Sequence, residues 1–269
     1  MNRTLCKAPY FSQWETPSMT LSVLERGASA LLDDPLWQRS GADSVEEYAR
    51  WAVNICGMAC LKMILAARGE DHRIIDLARG CTQFGGYVVN EDDQSIKGLI
   101  YAPFVTYVRE TFGLHAKTVT GLPTPDIADV LKDSDFFIAS VNSQIRWPDR
   151  QPLAKGGHLV LVTAATADTI RFHNPSGHDE ASQADVELPI ETFDRFFANR
   201  GIAVRFDQSQ RYKRTHPPCR HSPNNQNRPG RALPSSSAAA RQNTTSPSFQ
   251  RPMSSQPSTP GATTSCRSS

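Results

Sequence analysis

Apolar positions follow two rhythms along this chain. Through Cys56, Ala59, Cys60, Met63, Ile64 and Ala67 they fall three and four apart, the period of a helix buried along one side. The run predicts a helix over residues 57–68, stopped by Gly69. Ser44-Val45-Glu46-Glu47 has the form of a capping box and predicts a preceding helix through Tyr48, Trp51 and Ala52. Residues 74–78 predict a short helical turn. Residues 102–113 predict a helix with Pro103 early and Gly113 at its end. Thr124-Pro125-Asp126 opens another through Ile127, Val130 and Leu131. Then the rhythm changes. Residues 136–141 and 158–163 are continuous apolar runs of strand length, the mark of strands covered on both faces. Residues 169–173 and 202–206 add two strands, with a short helix over 193–197 between them.

The remaining segments are less patterned. Residues 8–14 read as extended. Residues 15–43 form a long irregular stretch, compatible with a helix over 21–32 and broken at Asp34-Pro35. Residues 80–97, rich in Gly, Asp and Asn, read as loop. Helices come first and strands later, which predicts an α+β fold, a helical N-terminal part packed on an antiparallel sheet, rather than a βαβ repeat.

Composition changes the picture at one place. From Gln208 to Ser269 there is no Asp or Glu, while nine of these 62 residues are Lys or Arg and nine are Pro. Such a segment buries too little apolar area to offset its ordering entropy and is expected to be a disordered basic tail. Of the 29 basic residues, 20 precede it, as do all 27 acidic ones, so residues 1–207 carry about −7 and the tail about +9. The expected organisation is one domain over 1–207 and the tail over 208–269. The tail offers nucleic acid a cationic run but lacks interleaved aromatics, so a solvated tail is the expected reading over nucleic-acid binding. The N-terminus lacks the apolar core of a signal peptide, and no stretch has the 18 or so apolar residues of a membrane span. Six scattered cysteines do not form a secreted disulfide framework, so the expected compartment is the cytoplasm with reduced thiols.

The chemistry-bearing residues stand where elements begin and end. Cys56 precedes its helix, where unpaired backbone N–H groups and the helix dipole favour a thiolate; a lone cysteine there is otherwise a small buried residue. Gly156-Gly157-His158 places a histidine at the start of a strand. His173-Asn174-Pro175 ends the next strand with Asn174 in a turn. If those two strands are an antiparallel hairpin, His158 and Asn174 share one end, Asn174 fixes one imidazole nitrogen, and the other faces the Cys56 sulfur, a nucleophile–base–orienter arrangement. Taken singly, His158 reads equally as a core histidine and Asn174-Pro175 as ordinary turn chemistry. His173, on the other face of its strand, is the competitor to His158. Cys60 is expected in the core, and Cys56, Cys60, His72 and Cys81 do not have the spacing of a zinc site. Trp147-Pro148 is expected to rim a pocket.

Four stretches in order, Tyr10-Phe11-Ser12-Gln13, Cys56-Gly57-Met58-Ala59, Gly157-His158 and Asn174-Pro175, resemble the motifs of papain-like cysteine peptidases of the C39-like group, the fold of the double-glycine leader peptidases. The resemblance spans roughly residues 7–206. It implies that Cys56 is the nucleophile, His158 the proton carrier and Asn174 its orienter, with the Gln13 amide in the oxyanion hole. It implies a peptide or protein substrate and no metal or organic cofactor. Asn174 departs from the group's usual Asp, as in papain-type enzymes. The 42 residues between Gln13 and Cys56 are long for the group, and an insertion around 33–48 is expected to line the cleft. No transmembrane or nucleotide-binding region follows, so the built-in peptidase of an export transporter is not the expected role. Glutamine deamidation or acyl transfer on the same triad, and a catalytically silent peptide-binding module, are the alternatives.

Overall fold

In the computed structural model, which describes residues 7–207, the helices are α1 Thr20–Arg26, α2 Val45–Ala52, α3 Cys56–Ala67, α4 Ile74–Gln83, α5 Tyr101–Phe112, α6 Ile127–Asp133 and α7 Ile190–Asp194. The strands are β1 His115–Thr120, β2 Phe136–Val141, β3 His158–Ala165, β4 Thr169–His173, β5 Val186–Pro189 and β6 Phe197–Arg205. They form one antiparallel sheet in the order β1-β6-β2-β3-β4-β5. The expected basic tail lies outside the described residues.

The sheet explains why β2 reads as an unbroken apolar run. Phe136 and Ile138 face α3 and pack with Met58, Leu61, Ile64, Leu161 and Ile202. Phe137, Ala139 and Val141 face the other way, into a second core with Val160, Val162, Phe172, Phe193 and Phe197. All six β2 residues are buried. The α3 helix is likewise covered almost all round, with ten of its 12 residues buried. Among the described residues no single helix is long and apolar enough to cross a membrane.

The structure corrects several sequence expectations. The turn over 74–78 is the first part of α4, which runs to Gln83. Gly80, read as loop, lies inside it, because a Cβ there would stand 2.6 Å from the Tyr107 hydroxyl, so its small size lets the α5 ring pack against the helix. The edge strands β1 and β5 were not foreseen: they carry no apolar run, since their exposed and covered positions leave little to bury. The last short helix lies earlier, at α7, and residues 197–201, partly assigned to helix, extend β6.

The segment between Gln13 and Cys56 builds its own small core from Trp14, Val23, Ala30, Leu31, Tyr48 and Ala52. Its centre is the buried Asp34 carboxylate, which accepts from the Tyr48 hydroxyl at 2.5 Å, the Thr16 hydroxyl at 2.6 Å and the Leu36 N–H at 2.9 Å. A buried charge held by this many donors is satisfied rather than reactive. The predicted helix start at Ser44 is kept, its hydroxyl accepting from the Glu47 N–H, but the reciprocal half of the capping box is not: the Glu47 carboxylate accepts from the Asp43 N–H at 2.7 Å instead of from Ser44. The outcome is a packed bracket with Gln13 at one end and Val53, Asn54 and Cys56 at the other.

Candidate active site

Cys56 is the first residue of α3, one position earlier inside the helix than the sequence pattern gave. Ile55 before it supplies no capping side chain, so the first helical N–H groups remain available to a negative atom. Of the three described thiols, Cys56 alone is partly exposed, while Cys60 and Cys81 are buried. Burial pushes the Cys56 thiol up. The backbone N–H groups of Leu159, Gly57 and Cys56 itself, and then the Arg146 charge, pull it down. Gly57 leaves no room for a side chain, since a Cβ would lie 2.7 Å from Leu99 Cδ2.

His158 opens β3 after Gly156 and Gly157, whose φ angles of +90° and +95° lie in the region that favours glycine. The β3–β4 hairpin brings Asn174 back to the same end, and its Oδ1 lies 2.9 Å from His158 Nε2. The same oxygen accepts the Ser176 backbone N–H at 3.2 Å. A backbone N–H only donates, so the Asn174 atom is the carbonyl oxygen and His158 Nε2 carries the proton. Nδ1 then holds the free lone pair. Burial, reinforced by the Arg146 charge, pushes the His158 pKa down to about 3, while the Asn174 contact raises it.

Residues 10–13 are strapped to the Asn174 turn. The Gln13 N–H and the Ser12 hydroxyl both donate to the Pro175 carbonyl at 2.9 Å, and the Tyr10 hydroxyl donates to the Asn174 carbonyl at 3.2 Å. The buried Gln13 side chain uses one amide hydrogen on the Ala52 carbonyl at 2.8 Å. Its second amide hydrogen forms no bond among the described residues.

Gln13, Cys56 and His158 line one cavity of about 940 Å³, within the size range of small-ligand and peptide sites. Asn174 stands behind His158, outside the wall. No hydrogen bond joins Cys56 and His158. Leu24, Val53 and Asn54 also line the cavity, whereas residues 33–48, expected there, are folded into the satellite core instead. Trp147 is not in the wall either: its ring lies 5.2 Å from that of His178 and carries the Arg150 guanidinium at 4.2 Å. His173 does not compete with His158. It is buried with both nitrogens occupied, Nδ1 accepting from the Asp185 N–H at 2.9 Å and Nε2 3.0 Å from the Ala8 carbonyl.

Sequence reasoning missed Arg146. It is buried in the short 3-10 turn after β2, where Nε and Nη2 donate at 2.6 Å to the Ser176 carbonyl and hydroxyl, and Nη1 donates to the Ser143 carbonyl at 2.9 Å. Burial lowers its pKa to about 10, and Cys56 raises it. A single arginine in a polar loop gives no sequence signal, because the usual place for it is solvent.

The model of the Peptidase_C39 like family matches residues 32–202. Two solved structures are similar. One is the peptidase domain of Streptococcus ComA, a bi-functional ABC transporter involved in a quorum sensing pathway, at 15 % identity and TM-score 0.41, covering 58 % of this chain and 93 % of that one. The other is a double glycine motif protease from an AMS/PCAT transporter in complex with the leader peptide, at 17 % identity and TM-score 0.41, covering 76 % of this chain and 95 % of that one. No curated protein matches.

Proposed function

The chain belongs to the Peptidase_C39 like family, and from that premise we propose that it is a cysteine peptidase in which Cys56 attacks the carbonyl carbon of a peptide bond. The observation that carries this is the fixed His158 tautomer, with Nε2 on Asn174 and Nδ1 free, on the wall of the cavity that holds the helix-terminal Cys56.

Each role follows from the surroundings of its residue. The Cys56 thiol gives its proton to His158 Nδ1, and the sulfur is stabilised by the α3 N-terminus, the Leu159 N–H and Arg146. Attack places negative charge on the substrate oxygen, which the free Gln13 amide hydrogen and the Cys56 N–H receive. The imidazolium then protonates the departing amine at Nδ1, leaving an acyl-enzyme that water hydrolyses by the reverse proton path. Asn174 holds the ring throughout. Because it is neutral, it aligns the imidazole without supplying the counter-charge that an Asp would. Residues 7–207 hold every group this scheme uses, so we place the peptidase domain at 1–207 and assign residues 208–269 no part in the chemistry.

The test is cleavage of a diverse peptide mixture, read by mass spectrometry, for the protein and for Cys56→Ala. Cleavage that disappears in the variant is the expected result. Cleavage that persists, or a deamidated or cross-linked glutamine in place of a cut, would overturn the reading.

A further inference from the structure

The cavity around Cys56 holds two guanidinium groups, Arg146 and Arg200, and no Asp or Glu lines it. Arg146 is tied to Ser143 and Ser176. Arg200 forms no ion pair among the described residues, unlike surface arginines such as Arg171, paired with Glu187, and Arg79, paired with Glu47.

The backbone places Arg200 by an unusual route. Between the pairs Ala139↔Gly201 and Val141↔Phe197 the β2–β6 register shifts, so Ala198, Asn199 and Arg200 stand opposite the single residue Ser140. Asn199 takes φ +54°, rare for a residue with a Cβ. It is held there by Leu122, which accepts from the Asn199 side chain at 2.9 Å and donates its N–H to the Asn199 carbonyl at 2.9 Å. Bulges and left-handed residues of this kind re-aim a side chain at functional sites. Here the result is that a Cβ added to Gly156 would lie 3.4 Å from Ser140 Oγ and 3.5 Å from Arg200 Nη2. The absence of a side chain two residues before His158 therefore leaves the space between these polar groups open. Tyr101 stands on the same wall, where burial pushes its hydroxyl up and Ser140 and the Arg200 charge pull it back.

We infer that Arg200, with the Ser140 and Tyr101 hydroxyls, forms a carboxylate-recognising subsite beside Cys56, so that the substrate is a peptide with an acidic side chain or a free C-terminal carboxylate near the bond attacked. This rests on the peptidase reading above. A guanidinium fork pairs with a carboxylate through two parallel N–H donors, and hydroxyls at its flank complete the shell. Of the cavity's two guanidiniums, Arg146 is committed to Ser143 and Ser176, whereas Arg200 meets the Tyr101 hydroxyl and, among the described residues, no carboxylate.

The test reads the subsite through Cys56 itself. Iodoacetate carries the carboxylate and iodoacetamide does not, so the ratio of their Cys56 alkylation rates, normalised to the same thiol in the unfolded chain, measures anion recognition apart from peptide cleavage. The expected ratio is about tenfold above unity at low salt, falling toward unity with added salt and in Arg200→Gln, inverting in Arg200→Glu and only partly kept in Arg200→Lys, which retains the charge but not the fork. A ratio that Arg200 substitutions and salt leave unchanged overturns the subsite while the peptidase reading stands. A Cys56 inert to both reagents overturns both. Peptides with an internal Glu and an amidated end, against neutral peptides with a free end, then identify the carboxylate's source. Equal cleavage of these and of neutral amidated peptides also overturns the subsite.

Discussion

Arg146 and His158 meet on one hydroxyl. Ser176 Oγ accepts from Arg146 Nη2 at 2.6 Å and lies 3.2 Å from His158 Nε2, the nitrogen that also contacts Asn174. A buried cation thus stands behind the imidazole, on the side away from Nδ1. It disfavours the imidazolium and favours the thiolate. The neutral Asn174 fits this arrangement, because a carboxylate there would be shared between the ring and the guanidinium rather than committed to the ring.

The first prediction concerns that cation. Arg146→Gln removes the charge that pulls the Cys56 thiol down, so the pH midpoint of Cys56 alkylation rises. The His158 pKa rises as well, since Arg146 is the second cause of its depression after burial. The variant is less stable, by about 1–3 kcal/mol for each buried acceptor left unpaired on Ser176 and Ser143. Alkylation followed across pH, beside urea unfolding, checks both. A midpoint that stays still or falls contradicts the electrostatic account.

Asn174→Ala removes the acceptor that fixes the His158 tautomer. Peptide cleavage is expected to drop by about 10²-fold or more, with the loss in kcat rather than KM, because general acid–base catalysis of this kind contributes roughly 10²–10⁴. Asn174→Asp keeps the acceptor for both the ring and the Ser176 N–H and adds a charge. It should retain most activity and shift the acidic limb of the rate profile upward, as a stabilised imidazolium requires. Full activity in Asn174→Ala would remove Asn174 from the mechanism.

Gln13→Ala tests the oxyanion donor. A loss of about 10²–10³ in kcat is expected. Stability should fall by about 1–3 kcal/mol for the buried Ala52 carbonyl left unpaired. Gln13→Glu keeps the shape but brings a carboxylate, repelled by both the Ala52 carbonyl and the oxyanion, so it should be at least as impaired. Stopped-flow kinetics together with thermal unfolding separates a catalytic loss from a folding defect.

How far the sequence carried the argument depended on how local each signal was. The α3 period, the β2 and β3 apolar runs and the Ser44 cap are local, and the structure keeps them. Cys56, His158 and Asn174 could be singled out because each sits where an element begins or ends and its residue type has a stated chemical use, whereas Gln13, in irregular chain before the first helix, came only from the family resemblance. The edge strands β1 and β5 were not, because a strand that buries little shows no apolar rhythm. Arg146, Arg200, Tyr101 and Ser140 were invisible for another reason. Their meaning comes from strands and loops far apart in the chain converging on one cavity, and from a register shift opposite Ser140 that no single-residue pattern encodes.

The last prediction follows from the direction of the His158 shift. Its pKa falls from 6.5 to about 3 on folding, chiefly through burial. Between those values the unfolded chain binds a proton that the folded one does not, so stability is fully present above about pH 6.5 and declines as pH falls toward 3. From pH 7.5 to 5.5 the His158 contribution amounts to a loss of about 1.4 kcal/mol. The carboxylates held low in the fold, such as Glu70 and Asp179, start from ordinary values of 4.5 and 3.8, so they act mainly below this window. Comparing urea unfolding of the protein and of His158→Gln at the two pH values isolates the term, because a neutral glutamine does not titrate. The protein should lose about 1.4 kcal/mol more than the variant. The opposite sign would mean that the folded state prefers the imidazolium, which requires a nearby anion. Among the described residues that line the cavity, the Cys56 thiolate is the anion that could serve, so that outcome would exchange a neutral resting pair for a preformed thiolate–imidazolium pair.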